Sequence, residues 1–418
     1  MRSRAVSETW RAEPRSLRAS DFFAELPSSA FAFLYGEGRW IVLAEDPLAM
    51  LDSPCPEVFT FERRGQLPSI LPDLIGQMSY EYGYALDSAL LPARLHTDPL
   101  PDFRLTLYRR VRVYDCQEGI LYTADRECER EFEPRDNGLG QGAFQALKQN
   151  DSESPISYQA KVSRIRDEIA QGNVYQVNLT RQEEWSIRGD ISRFAKRLFD
   201  TNPAPYSALI AEPDWTIISS SPESYLRIQD GRLSTRPIKG TAPRGSTAEE
   251  DQRLAEELLA SPKNRSELAM IVDLLRNDLS RVCRVPSVRV DAFPILETYA
   301  NVHHLVADIS GELAPGATLA EILRTTFPGG SITGCPKLAA MGLIQELEAA
   351  PRRIYTGALG WCRADLQQAE FAIPIRTAWA YGGILRFGVG GAVVWDSDPR
   401  EEYEETLHKG RSLVRCLS

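Results

Sequence analysis

Between Phe31 and Ala124 the chain carries "FAFLYG", "RWIVLAE", "RLTLYRRVRVYD" and "GILYTA", runs rich in β-branched and aromatic residues that end near Gly or an acid. Such side chains fit a pleated, half-buried surface, so the first third of the chain is committed to sheet. Strand-like runs return in "YSALIAE", "WTIISS" and "SYLRIQDGRLS", the last a hairpin turning at Asp230 and Gly231. Near the end, "FAIPIRTAWAYGGILRFGVGGAVVW" reads as strand, turn, strand.

Single helices separate these runs. Ser157 is placed to cap a helix reaching Gln171, in which Val162, Ile165 and Ile169 recur at helical spacing before Gly172 stops it. A second helix is expected over 248–259, a third from near Ser266, and an amphipathic one in "EEYEETLHKGRSLVRCL". Strand pairs divided by single helices predict an α+β fold with largely antiparallel sheets.

At 418 residues, one large unit and two domains both fit the length. The segment "EREFEPRDNGLGQGAF", 129–144, loses the strand pattern and gathers Gly and charge, and "KQNDSESPIS" extends it to Ser157. The expected division is a β-rich N-terminal region over 1–150 that contributes to a shared sheet core, a linker near 129–156, and a second region over 157–418.

Composition narrows the function classes. A hydrophobic fraction of 43% with 25% charged residues is that of an ordinary globular protein with a substantial core. The 58 acidic and 48 basic side chains leave a net charge of -10, which repels nucleic acid and acidic lipid surfaces. A pocket for a small anion stays open, because a few Arg residues or a metal ion reverse the sign locally. The seven cysteines are scattered and form no CxxC pair, which argues for reduced thiols rather than a disulfide framework or a zinc site. No run has the length to span a bilayer, and the Arg-rich first twenty residues contain no signal-peptide apolar stretch. A cytoplasmic protein is expected.

Several places bear chemistry. In the last helix Glu402, Glu405 and Lys409 share one face, either as a solvated face with an ion pair or as part of a site. "SELAMIVDLLRNDL" is apolar on nearly all sides, so Glu267 within it needs an Arg partner or a cation. In a strand read over 371–378, Arg376 stands among small residues, either as a surface side chain or as a bidentate holder of a planar anion. "FPGGSITGCPK" and "FGVGGAV" are Gly-rich turns without a P-loop pattern, and Cys335 has no accompanying His or Asp pattern of a thiol hydrolase, so it reads as structural.

Together with "GNVYQVNLTR", "SSSPESYL", "RPIKGTAPRG", "HHLVADISGEL", "RRIYTGALGW", "FAIPIRTAWA" and "EYEETLHKGRSLV", these pieces occur in an order that resembles the chorismate-utilising enzymes, most specifically from Ser157 to Leu417. The resemblance implies two large, mostly antiparallel sheets packed face to face with helices outside, and a Mg²⁺-dependent site for chorismate. It makes Glu267 and Glu405 the Mg²⁺ carboxylates with Glu402 behind them. Tyr355, Arg376 and the backbone of Gly390 and Gly391 become the clamp on the enolpyruvyl carboxylate, and His304, Ser331 and Lys409 line the ring and metal end.

Within the family, "PIKGT" resembles the aminodeoxychorismate synthase component I branch of 4-aminobenzoate and folate biosynthesis, whereas anthranilate and salicylate synthases carry "PIAGT". The resemblance makes Lys239 a nucleophile toward C2 of chorismate and Glu223 the acid for the departing 4-hydroxyl. It puts Gln176 where water-adding members carry a lysine base, which argues against isochorismate synthesis. It also implies a separate glutamine amidotransferase subunit as the ammonia source, with neither nucleic acid nor membrane as partner. Ser331, Cys335 and Asn264 depart from the usual Thr, Ala and acid. A tryptophan pocket of relatives is matched here by Pro205, Tyr206 and Ser207. The competing readings are an anthranilate synthase large component and a noncatalytic amidotransferase-binding homologue.

Overall fold

The strand-forming runs build one hydrogen-bonded network that doubles back as two layers. The computed structural model describes residues 4–36, 39–93, 96–128, 135–299 and 302–417. In the first layer Gln145–Asp151, Gln176–Arg188, Ile384–Val393, Thr377–Tyr381, Thr216–Ser221, Tyr206–Ala211, Phe31–Tyr35 and Trp40–Leu51 lie side by side, each antiparallel to its neighbour. In the second layer Val302–Glu312 is flanked by Arg289–Thr298 on one side and by Ile238–Pro243 and Arg232–Thr235 on the other. The order continues through Ser224–Gln229, Gln368–Ala372, Ala358–Cys362 and Leu74–Met78. The long strand Phe103–Asp115 joins the layers by pairing with both Leu74–Met78 and Trp40–Leu51.

Alternation along each strand decides where its side chains go. Ala32, Val42, Ala208, Ile210, Ile217 and Trp379 meet Ile75, Leu359 and Trp361 in the core between the layers. Their neighbours Phe31, Phe33, Leu209, Ile218 and Ala378 turn outward, under Phe194 and Leu198 of helix Ser192–Thr201 and Leu413 of helix Pro399–Leu417. On the other outer face Leu268, Ile271 and Leu275 of helix Pro262–Ser280 belong to a cluster that includes Leu226, Leu305 and Phe371. The fold is therefore α+β, with antiparallel sheets face to face and helices outside. Among the described residues no helix is long and apolar enough to cross a membrane.

Several local expectations are corrected. Ser154, not Ser157, caps the helix Pro155–Ala170, accepting the Ser157 amide. The third helix likewise starts earlier, at Pro262, with Ser261 accepting the Asn264 amide. Both are Ser-Pro starts, in which the proline's missing N–H and fixed φ suit the first helical position. Within the stretch read as linker, 129–134 lies outside the described residues and Gln145–Asp151 is an edge strand on Gln176–Arg188. That strand is mostly exposed, so its sequence carries little apolar signal. Helix Pro262–Ser280 is not apolar all round: Asp273, Arg276 and Asn277 form an exposed strip, while buried Asp278 accepts from Lys337 Nζ at 2.6 Å.

Candidate functional site

The strand expected over 371–378 is interrupted, and the reason positions the site. Gln368–Ala372 belongs to the second layer and Thr377–Tyr381 to the first, so the chain changes sheets at 373–376. Arg376 ends that crossing in the left-handed region, at φ 50°. A second crossing runs beside it, from Thr216–Ser221 to Ser224–Gln229 through Pro222 and Glu223. The two are tied by hydrogen bonds from the Ser220 amide to the Arg376 carbonyl (3.1 Å) and from the Ile373 amide to the Glu223 carbonyl (3.0 Å). An acid and a guanidinium thus reach one opening at the seam of the sandwich.

That opening is a cavity of about 510 Å³ lined by Lys239, Glu223, Glu267, His304, Ser331, Tyr355, Arg376, Gly390, Gly391, Glu402, Glu405 and Lys409. Lys239 lies beside a register shift against Val302–Glu312, with Gly240 at φ 76° in the irregularity. Its Nζ donates to the Ser331 carbonyl at 3.3 Å. Thr241 Oγ1 and His304 Nδ1 are 2.9 Å apart. Tyr355 lies against Gly388, where a Cβ would come within 2.3 Å of the ring, so only glycine leaves room. Lys409 Nζ donates to the Gly390 carbonyl at 3.1 Å and pairs with Glu405 at 2.5 Å.

Burial controls the charges. Glu223 is 6% exposed, its Oε1 has no hydrogen-bond partner, and burial raises its pKa against the opposing Ser331 hydrogen bond and the Lys239 and Lys409 charges. Lys239 keeps some contact with the cavity but is surrounded by protein, and burial lowers its pKa, opposed by Glu223 and Glu267. Burial and the nearby Arg376 push His304 down to about 4, so its imidazole is neutral at pH 7. Arg376 is itself held below its usual value by burial, and no ion pair engages its guanidinium among the described residues. A half-buried cation without a carboxylate partner is suited to hold an anion.

The chorismate binding enzyme family model matches residues 41–415. The chain belongs to this family. It is 36% identical over 396 residues to aminodeoxychorismate synthase component 1 of Bacillus subtilis (strain 168), covering 89% of this chain and 82% of that protein. It is 39% identical over 307 residues to anthranilate synthase component 1 of Saccharolobus solfataricus, covering 73% and 71%. The menaquinone-specific isochorismate synthase of Escherichia coli superposes with a TM-score of 0.79 at 18% identity, over 100% of this chain and 96% of that one, a likeness of fold.

The donor set of this chorismate binding enzyme fits a hard divalent cation. Glu402 accepts from Ser397 Oγ at 2.6 Å through Oε1, while its Oε2 is buried without a partner. A Cβ built on Gly391 would lie 3.2 Å from that oxygen and 3.4 Å from Glu405 Oε1, so the carboxylates meet over a glycine. Among the described residues no three His, Cys, Asp or Glu side chains form a cage of their own. Mg²⁺ does not need one, since it keeps several waters and takes one or two carboxylates plus anionic substrate oxygens.

Sequence reasoning did not single out Asn178, Thr180, Thr241, Lys263 or Thr356, which also line the cavity. The period-two pattern of "VNLTR" was the available signal for Asn178 and Thr180. Gln176 does not line the cavity; it is fully buried, with both side-chain amide atoms unpartnered. Pro205, Tyr206 and Ser207 lie elsewhere, on a cavity of about 130 Å³ shared with Leu34, Arg39, Trp40, Trp361 and Glu370.

Proposed function

We propose that the protein aminates chorismate at C4, forming 4-amino-4-deoxychorismate and water from chorismate and ammonia. The observation carrying this reading is Lys239, a desolvated amine held over the cavity by the Ser331 carbonyl, with a buried carboxyl, Glu223, whose Oε1 has no hydrogen-bond partner, on the same cavity. An ordinary lysine, with a pKa near 10.4, is neutral in fewer than about one molecule in a thousand at pH 7. Burial lowers that barrier to nucleophilic attack.

The Lys239 amine forms a bond to C2 as both ring double bonds shift by one position and the C4–O bond breaks, the Glu223 proton leaving in water, which leaves Lys239 as a secondary ammonium and Glu223 as a carboxylate. Ammonia then bonds to C4, both double bonds shift back, the C2–N bond breaks to return the Lys239 amine, and the proton shed by the new C4 ammonium restores the Glu223 acid. Arg376 and Tyr355 hold a substrate carboxylate. Glu267 and Glu405, backed by Glu402, would hold Mg²⁺, which when bound neutralises a second substrate carboxylate. A separate glutamine amidotransferase supplies the ammonia in this reading, and an ammonium salt replaces it in an assay.

Purified protein incubated with chorismate, Mg²⁺ and an ammonium salt is expected to give aminodeoxychorismate by mass spectrometry. Anthranilate as the product would assign the protein to the other amination chemistry of its relatives, and isochorismate would overturn amination.

Glu223 sets a pH limb. Its folded pKa is raised, so the proton is present below that pKa and lost as pH rises through it. Glu223→Gln is expected to lower kcat by about 10²–10⁴-fold, the usual worth of a positioned acid. The alkaline limb of kcat/KM should vanish with it; an unchanged limb would assign the proton to another group.

A further inference from the structure

The cavity wall is held by a residue that does not itself line the cavity. Arg352 is 3% exposed and all of its guanidinium N–H donors are engaged. Nε and Nη2 donate to Glu348 at 2.9 and 2.7 Å. Nη2 also donates to the Asn178 carbonyl at 2.8 Å, and Nη1 to the Ile332 carbonyl at 2.9 Å and Thr356 Oγ1 at 3.3 Å. Glu348 in turn accepts the Thr180 amide at 2.8 Å. Asn178, Thr180, Ile332 and Thr356 all line the cavity, on three separate segments of the chain.

The consequence passes directly to the reacting groups. Asn178 Nδ2 donates at 2.8 Å to the Ser331 carbonyl, the same oxygen that anchors Lys239. The Tyr355 amide donates to the Arg352 carbonyl at 3.1 Å. A planar fork with five donors in fixed directions spans these segments at once; an ammonium on a flexible stem does not.

We propose that Arg352 is a positioning residue for the amination step, fixing the Ser331 carbonyl and so the aim of the Lys239 amine. This rests on the reading of Lys239 as nucleophile. Arg352→Lys keeps the charge opposite Glu348 but releases the wall. The control is Arg353→Lys: Arg353 is 1% exposed and ion-paired, yet its partners are Asp98, Asp102, Glu81 and the Leu100 carbonyl, none of which lines the cavity.

Both variants are expected to lose thermal stability. Only Arg352→Lys should lose kcat, by about 10–100-fold with the chorismate KM within about threefold, since misplacing a reacting group by ~1 Å costs on the order of 10²-fold. If Arg352→Lys does not fold, the pair Arg352→Gln with Glu348→Gln leaves no unpaired buried charge and carries the same comparison. A kcat within about twofold of the parent, or an equal kcat loss in Arg353→Lys at matched stability, overturns the proposal. Rates are taken relative to the parent on whatever product the parent forms, so an error in product identity is read separately, from the parent alone.

Discussion

Lys239→Ala is expected to lower aminodeoxychorismate formation by on the order of 10³-fold or more, about 4 kcal/mol of barrier. The lysine is not interchangeable with bulk amine, because its own strand, the irregularity at Gly240 and the Ser331 carbonyl hold it over the cavity. Truncation removes the nucleophile but leaves Arg376, Tyr355 and the carboxylates in place, so chorismate should still bind. Binding measured by calorimetry and product formed with ammonium separate the two. Trace anthranilate from the variant would show ammonia reaching C2 unaided. Wild-type rates of aminodeoxychorismate formation without the lysine would remove the covalent step from the mechanism.

Arg376 should give the second large effect, in binding. Its guanidinium is partly buried with no ion pair among the described residues, so a substrate carboxylate would be its counter-ion. Losing one partner of such a charge pair costs about 2–5 kcal/mol. Arg376→Met is therefore expected to lower kcat/KM by about 10²–10³-fold, mostly through KM. Arg376→Lys should recover little of it, since a point charge cannot match a planar carboxylate with two parallel hydrogen bonds. The same variants test the electrostatics without substrate. An uncompensated cation weakens the fold, so Arg376→Met should melt higher than the parent while binding chorismate worse. A lower melting temperature would mean that the guanidinium has a stabilising partner in the folded chain.

The strands and most of the charged lining of the cavity, Lys263 excepted, were legible in the sequence. β-branched and aromatic runs mark sheet wherever both faces are covered, as in Tyr206–Ala211 and Thr216–Ser221. What stayed hidden depends on contacts distant in sequence. "FAIPIRTAWA" has strand composition throughout, and only the neighbouring strands reveal that it leaves one sheet for the other at 373–376. Gln145–Asp151 is a strand because Gln176–Arg188 offers its edge, not because of its own apolar content. Arg352 stands in "RRIYTG" beside Arg353 with nothing to distinguish the two, although one braces the cavity wall and the other the segment around Asp98. Helix starts at Ser154 and Ser261 were within reach, since Ser followed by Pro is a local signal.

The paired crossings at Glu223 and Arg376 also set an order of events during synthesis. Leu74–Met78 pairs with Phe103–Asp115 close by in sequence, but its other edge waits for Ala358–Cys362, and the carboxylates of Pro399–Leu417 come later still along the chain. Pairings so remote in sequence form slowly. The nascent chain therefore holds an unpaired Leu74–Met78 edge until Ala358–Cys362 is made, and the cavity closes only once helix Pro399–Leu417 has left the ribosome. Catalytic competence is then a late milestone of folding, and the regain of chorismate turnover after dilution from denaturant should lag behind the regain of sheet structure.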